Sequence, residues 1–135
     1  MDLRDWIEEY TVNIEKIDEH HKKFLDIINM LIKIKNDRSC EEEISLVFFR
    51  LIYYVENYFI DEETYMKKLK FPGFKPHREE HNTFIREIIK FQDLYQKGDR
   101  TICNDLYDCL QNWFDVHILG KDREAALFLI EKGVK

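Results

Sequence analysis

The stretch HREEHNTFIREIIKFQDLYQ, residues 77–96, decides the fold because it has the pattern of one long amphipathic helix. Its inward-facing apolar residues recur at helical spacing: Phe84, Ile85, Ile88 and Tyr95. At about 100° per residue, His81 lies at the centre of this apolar stripe and His77 lies one turn before it. Histidine pairs four residues apart on a helix bind metal in many folds. The stretch therefore predicts a core helix that carries metal ligands.

Two further helices and an arm are predicted before this stretch. Asp18 is a good N-cap for a first helix that runs to about Lys35, with an apolar face of Phe24, Leu25, Ile28, Leu31 and Ile32. Ser39 and Glu42 form a capping-box pattern for the second helix, whose apolar side comprises Ile44, Val47, Phe48, Leu51, Val55, Phe59, Met66 and Leu69. Residues 1–17 are expected to form an ordered arm that packs on the bundle.

The predicted fourth helix follows the central stretch. The sequence FPGFKP at 71–76 separates the second helix from the third, and Gly98 with Asp99 separates the third from the fourth. The fourth is expected to end at Gly120 and to be followed by a short tail helix; its apolar residues are Ile102, Leu106, Leu110, Trp113 and Phe114. The chain is thus predicted to be all-α: one domain, residues 1–135, forming an up-down-up-down four-helix bundle with an N-terminal arm and a short C-terminal helix.

Composition narrows the class of protein. A net charge of −6 argues against a nucleic-acid partner, and no run of about 18 apolar residues predicts a membrane span. The acidic N-terminus lacks the apolar core of a signal peptide. Three cysteines, Cys40, Cys103 and Cys109, form no C-x-x-C pair and leave one unpaired in any disulfide scheme. They are expected to be small apolar residues of a reduced, cytoplasmic protein.

Polar residues on the apolar faces predict a metal site. Glu62 lies at the centre of the stripe of the second helix, and His117, in His117-x-x-x-x-Asp122, is central on the fourth. A buried carboxylate is costly unless a cation compensates it. With His81, three helices direct ligand-type side chains into one core. Histidine with carboxylate suits iron, zinc or copper, and iron is the metal expected here.

The first helix leaves its own ligand open. His20 and His21 both lie within about 60° of the centre of its apolar face. Helical periodicity alone does not choose between them.

Taken in order, these motifs resemble the hemerythrin family in its bacterial single-domain form. They are Trp6-x-x-x-Tyr10, Asp18-Glu19-His20-His21-Lys22, Phe59-Ile60-Asp61-Glu62-Glu63, His77-x-x-x-His81 with Phe84, and Trp113-x-x-x-His117 with Asp122. The resemblance runs from about Trp6 to the end of the fourth helix. It implies a non-heme centre of two Fe ions, joined by an oxo or hydroxo bridge, that binds O2 or a related small ligand.

The resemblance also implies a role for each site residue. One iron would be held by three histidines, His77, His81 and His117. The other would be held by His21, which settles the choice against His20. Glu62 and Asp122 would bridge the two ions. A dry apolar pocket, in which bound O2 survives better, would be lined by Phe24, Phe59, Phe84, Trp113, Phe114 and Ile118.

Tyr58 departs from the family pattern. The family has histidine four residues before the bridging glutamate, whereas this chain has Tyr58, about 40° from Glu62 around the helix. Three roles are open: a phenolate ligand, a hydrogen-bonding partner for water, or a ring that fills space. A phenolate would favour ferric iron. Reversible O2 binding needs a lasting ferrous pair, so this change is expected to impair it.

Other functions are weighed against this one. The chain contains no Glu-x-x-His, which ferritin-like sites use twice, and no His-Glu-x-x-His. Asp61, Glu63 and Glu79 are expected to lie on a solvated face. The expected function is therefore O2 carriage, storage or delivery rather than catalysis, with no prediction for protein partners. One alternative is a di-iron redox enzyme or scavenger that acts on peroxide or NO. Another is a metal-free or single-iron helical interaction module.

Overall fold

The computed structural model describes all 135 residues and contains helices but no strand. Six α-helices follow the arm: α1 (Glu15–Asn36), α2 (Cys40–Tyr54), α3 (Ile60–Lys68), α4 (Phe74–Gln96), α5 (Ile102–Asn112) and α6 (Arg123–Glu131). A first π-helical segment, Val55–Phe59, joins α2 to α3, and a second, Trp113–Asp122, joins α5 to α6. The chain therefore makes four long helical rods, which confirms the predicted all-α bundle.

The rods enclose one main apolar core. The rod formed by α1 packs against α2 and α5, and α4 packs against α3 and α5. Trp6 and Tyr10 of the arm pack against this core. A smaller cluster forms where the arm and the start of α1 meet α6, and it contains Val12, Ile14, Ile17, Ala126 and Leu129. The expected arm is thus confirmed.

No helix of the protein is both long and apolar enough to cross a membrane.

Two helices begin earlier than predicted. The first starts at Glu15, so Asp18 lies inside the helix and does not cap it. The Asp18 carboxylate instead accepts a hydrogen bond from the backbone N–H of Val12, at 2.8 Å. Asp18 therefore fixes the turn that leads out of the arm. The third starts at Phe74, which places Pro76 in the first helical turn, where its missing N–H is not needed.

The predicted capping box and the predicted end at Gly120 are both wrong. Ser39 precedes α2, but its hydroxyl donates to the Glu43 carboxylate and caps no backbone N–H. A glycine that ends a helix usually adopts a left-handed backbone, as Gly98 does with φ 95°. Gly120 does not adopt it, and the second π-helical segment runs through this residue into α6.

The cysteine prediction is wrong for two of the three thiols. Cys40 at the start of α2 and Cys103 at the start of α5 form a disulfide, with 6.3 Å between their Cα atoms. They are 63 residues apart in sequence and are brought together only by rod packing. Cys109 is free, and burial raises the pKa of its thiol to about 11. The cytoplasmic location stays a prediction, because the disulfide removes the support that three reduced cysteines would give it.

Candidate metal centre

Three histidines and one aspartate form the larger part of a buried polar cluster. His77 and His81 lie one turn apart on α4, and His117 faces them from the second π-helical segment. With Asp122, they offer ligand atoms that all lie within 4.8 Å of one another. The Oδ1 atom of Asp122 is 2.8 Å from Nε2 of His77 and 3.1 Å from Nε2 of His117. We call this group the three-histidine half.

The remaining part of the cluster contains one histidine and shares the aspartate. His21 of α1, Glu62 of α3 and Asp122 also offer ligand atoms within 4.8 Å of one another. Nε2 of His21 is 3.0 Å from Oδ2 of Asp122 and 4.0 Å from Oε2 of Glu62. We call this group the one-histidine half. The structure thus brings together six of the seven residues that were predicted to hold metal.

Each carboxylate directs one oxygen toward each half. Asp122 presents Oδ1 to the three-histidine half and Oδ2 to His21. Glu62 presents Oε2 to His21, whereas its Oε1 is 3.6 Å from Nε2 of His81. This division is the arrangement by which a carboxylate can join two neighbouring ions.

The second π-helical segment explains how Asp122 reaches the cluster. His117 and Asp122 are five residues apart, which would place them about 140° apart around an α-helix. A π-helix closes its hydrogen bonds between residues five apart, so such residues lie nearly above one another. Both side chains therefore project into the same part of the core. Helical periodicity of 3.6 residues could not have predicted this.

The hydrogen bonding of the cluster fits a cation. Both oxygens of Glu62 are buried and have no hydrogen-bond partner. The Nε2 atoms of His77, His81 and His117 also have no hydrogen-bond partner. Nε2 of His81 lies 3.6 Å from Glu62, too far for a hydrogen bond, and the Nε2 atoms of His77 and His117 lie close to Asp122 without making one. This is expected for groups that converge on an ion. A buried carboxylate without a partner is costly, so the residues present fit a metal of the iron, zinc or copper type.

The charges of the cluster shift its pKa values in opposite directions. Burial raises the pKa of Asp122, but the charge of His117 and the close contacts with His117, His21 and His77 outweigh this and hold the pKa of Asp122 well below its usual value. Burial lowers the pKa of His21 and His77, but Asp122 and Glu62 outweigh it and raise both pKa values. In the metal-free protein, protonation of His21 and His77 is therefore favoured, and it places positive charge beside the carboxylates.

An outer carboxylate lies behind each of two histidines. Oε2 of Glu63 is within hydrogen-bond distance of Nδ1 of His81, at 2.8 Å, whereas Oε1 of Glu80 is 3.6 Å from Nδ1 of His117, which has no hydrogen-bond partner. A carboxylate behind a ligating histidine fixes its tautomer and ring orientation. The prediction that Glu63 belongs to a solvated face is therefore wrong. No sequence signal marks Glu63, because its contact depends on how α3 packs against α4; Glu79 is exposed, as predicted.

Aromatic rings stack on the imidazoles of the three-histidine half. The Trp113 ring lies 3.8 Å from that of His117, and the Phe59 ring lies 3.9 Å from that of His81, both nearly parallel. The six apolar residues expected around the site are all buried: Phe24, Phe59, Phe84, Trp113, Phe114 and Ile118. These rings restrain the ligands on the side of the core, and Trp113 and His117 also line an open cavity of about 660 Å³.

The environment of Tyr58, the seventh residue predicted to hold metal, differs from that of the other six. Its half-buried ring stacks on His20, with 4.2 Å between ring centroids, and meets the Tyr54 and Tyr53 rings edge-on. It also lines a cavity of about 160 Å³ that includes Lys23 and other residues of α1 and α2. The buried residue on which it stacks, His20, was not expected at the site.

A four-helix bundle that encloses a buried histidine–carboxylate cluster defines a class of metal-binding bundle proteins. Residues 12–126 match the family model of the hemerythrin HHE cation binding domain, so the chain belongs to the hemerythrin family. It is 30% identical to the bacteriohemerythrin of Clostridium acetobutylicum over 88% of this chain and 95% of that protein. It is 29% identical to that of Methylococcus capsulatus, over 91% and 94%, and 25% identical to that of Stenotrophomonas maltophilia, over 93% and 81%.

Proposed function

We propose that this chain is a di-iron protein that binds O2, or a related small ligand, for carriage, storage or delivery. The observation that carries the proposal is the division of the two buried carboxylates, which each direct one oxygen toward each half of the cluster. Glu62 and Asp122 would bridge the two ions. His77, His81 and His117 would hold one ion, and His21 would hold the other.

The difference between the halves supports a binding role. The three-histidine half supplies three imidazoles, whereas His21 is the one histidine grouped with Glu62 and Asp122 in the other half. Fewer protein ligands leave more of the coordination sphere for a small ligand. The iron pair, when bound, would supply the electrons and the open coordination position that O2 needs. The protein supplies the geometry and the exclusion of water.

Water exclusion is the task of the buried aromatic residues. Phe24 and Phe114 are fully buried, and Phe59 and Trp113 cover the imidazoles of His81 and His117. A dry, apolar surrounding slows the loss of a reactive bound ligand to protons and water. We therefore propose binding rather than turnover, in the cytoplasm.

Tyr58 sets how reversible this binding is. Three roles are open to it: a phenolate ligand of the iron in the one-histidine half, a hydrogen bond to water, or a ring that packs against His20. Its stacking on His20 supports the third. Only the first role would produce a phenolate-to-iron band in the visible spectrum of the ferric protein, and the Tyr58→Phe variant would lose that band.

Stopped-flow absorbance tests the proposed function. The reduced, iron-loaded protein should show a visible absorbance change with O2 that reverses when O2 is removed. Excess peroxide or NO should not be consumed over repeated additions. Repeated consumption of either would instead support a redox enzyme or scavenger. A protein that retains no iron would be a helical interaction module.

A further inference from the structure

His20 is a buried histidine at the cluster without a role in the proposed function. Its side chain is only about 5% exposed, and its Nδ1 atom has no hydrogen-bond partner. That atom lies 3.9 Å from Oε2 of Glu62, the oxygen that faces the one-histidine half. A buried, unpartnered imidazole nitrogen is costly unless something binds it.

The surroundings of His20 match those of two histidines in the three-histidine half. His81 lies between an inner carboxylate, Glu62, and an outer one, Glu63. His117 lies likewise between Asp122 and Glu80.

The same pattern recurs at His20 with its two ring nitrogens exchanged. Nδ1 faces the inner Glu62, and Nε2 lies 3.6 Å from the outer Asp61, which also binds Lys16 at 3.1 Å. The order of these groups is that of the carboxylate–histidine–metal arrangement, in which the outer carboxylate orients the imidazole.

Each of His20 and His21 lies close enough to Glu62 to share an ion with that carboxylate. Nitrogen and oxygen ligands lie about 2.1 Å from a metal such as zinc, so two ligands of one ion are at most about 4.2 Å apart. Nδ1 of His20 and Nε2 of His21 are 3.9 Å and 4.0 Å from the same oxygen, Oε2 of Glu62. His20 lies outside the group of ligand atoms that are all within 4.8 Å of one another, so ligation requires its Nδ1 to move inward.

We propose that His20 binds the second metal ion through Nδ1 and supplies the imidazole that position 58 lacks. Tyr58 then stacks on His20 and holds its ring at the cluster. A neutral imidazole favours ferric iron less than a phenolate does, so this ligand set is compatible with reversible binding. The inference rests on the proposed di-iron centre and selects one of the roles open to Tyr58.

The test counts ligating histidines in the diferrous protein by ¹H NMR. Each histidine bound to iron should give one solvent-exchangeable ring N–H resonance outside the normal spectral range. We expect five in the wild type, from all of the chain's histidines, and four in His20→Gln. Glutamine suits this test because its amide reaches the position of Nε2, and so retains a partner for Asp61, while Nδ1 is removed.

Three variants accompany His20→Gln. Lys16→Ala removes the charge beside Asp61 and leaves the imidazole in place, so it should show five resonances. Tyr58→Phe retains the stacking ring and should also show five. His20→Gln should bind the second iron about tenfold more weakly or worse, since even outer-shell losses have effects of this size. Adding Tyr58→His to it should restore both the second iron and the fifth resonance.

The outcomes separate this inference from the proposed function. If the wild type holds two irons per chain but shows four shifted resonances that persist in His20→Gln, the His20 proposal alone is overturned. If the wild type holds fewer than two irons, the proposed function fails and the His20 proposal fails with it. If His20→Gln does not fold, the wild-type count of five or four still decides.

Discussion

The two halves of the cluster are built differently within one bundle. In the three-histidine half, His81 has an outer carboxylate 2.8 Å behind it, and His81 and His117 each have an aromatic ring stacked on them. In the one-histidine half, Nδ1 of His21 is buried without any partner. The ligands of the three-histidine half are therefore restrained from several sides. Those of the one-histidine half have fewer contacts that fix their orientation.

The first way to break this comparison is to remove a ligand from the restrained half. In His117→Ala, Asp122 loses the partner whose charge most lowers its pKa. Removing one partner of a buried ionic contact typically costs about 3–5 kcal/mol. We expect at least one iron per chain to be lost, measured by metal analysis, and the free energy of unfolding to fall by about this amount, measured by urea denaturation.

Glu79→Gln is the control for that experiment. Glu79 lies exposed on α4 and pairs only with Arg86. It should change neither iron content nor stability. Full iron and full stability in His117→Ala would show that His117 binds neither iron.

A second prediction addresses the outer carboxylates. Glu63→Gln keeps the size of the side chain but weakens the contact at 2.8 Å with Nδ1 of His81. Such partners typically contribute a factor of about 10–100 in metal affinity. We expect competition with a chelator to show that the iron of the three-histidine half binds more weakly in Glu63→Gln. Glu79→Gln should behave as wild type. Equal affinities would mean that Glu63 does not orient His81.

A third prediction concerns pH and the metal-free protein. The raised pKa values of His21 and His77 add stability below their unfolded value of 6.5, and this is lost as pH rises through the raised values. The lowered pKa of Asp122 adds stability above its unfolded value of 3.8, and this is lost as pH falls through the lowered value.

Urea denaturation of the metal-free protein across pH measures this. We expect greatest stability between about pH 4 and about pH 6.5, with a decline toward alkaline pH. His77→Gln should show a shallower alkaline decline. Rising stability above neutral pH would contradict the charge balance described for the cluster.

The smallest expected effect is at Gly120, within the segment that places Asp122. A Cβ added at Gly120 would meet no atom within 4 Å, and the backbone there is not left-handed. Alanine should therefore stabilise the protein by up to about 1 kcal/mol without loss of iron. Iron loss in Gly120→Ala would instead show that the π-helical geometry depends on this glycine.

Sequence patterns predicted the side chains that follow simple helical periodicity. Glu62, His81 and His117 each lie central on an apolar stripe, and all three are buried in the cluster. Asp122 was predicted from its place in His117-x-x-x-x-Asp122 and from the family resemblance, but not from helical periodicity, because an α-helical repeat turns it away from His117. Periodicity left both His20 and His21 open, and the structure buries both.

The features that sequence did not predict depend on packing between distant segments. The contact of Glu63 with His81 requires the pairing of α3 with α4, and Cys40 meets Cys103 only in the folded bundle. Helix starts differed by three residues at Glu15, where Asp18 binds the arm, and at Phe74, where Pro76 lies in the first turn. Local propensity does not contain these long-range contacts.

The division of the cluster into two unequal halves is tested most directly by anaerobic calorimetric titration of the metal-free protein with Fe²⁺. The account predicts two irons per chain, bound in two steps of unequal affinity. His117→Ala should lose the tighter step, and His21→Ala should lose the weaker one. A single step, a total below two irons, or loss of the tighter step in His21→Ala would contradict the division of the cluster into two unequal halves.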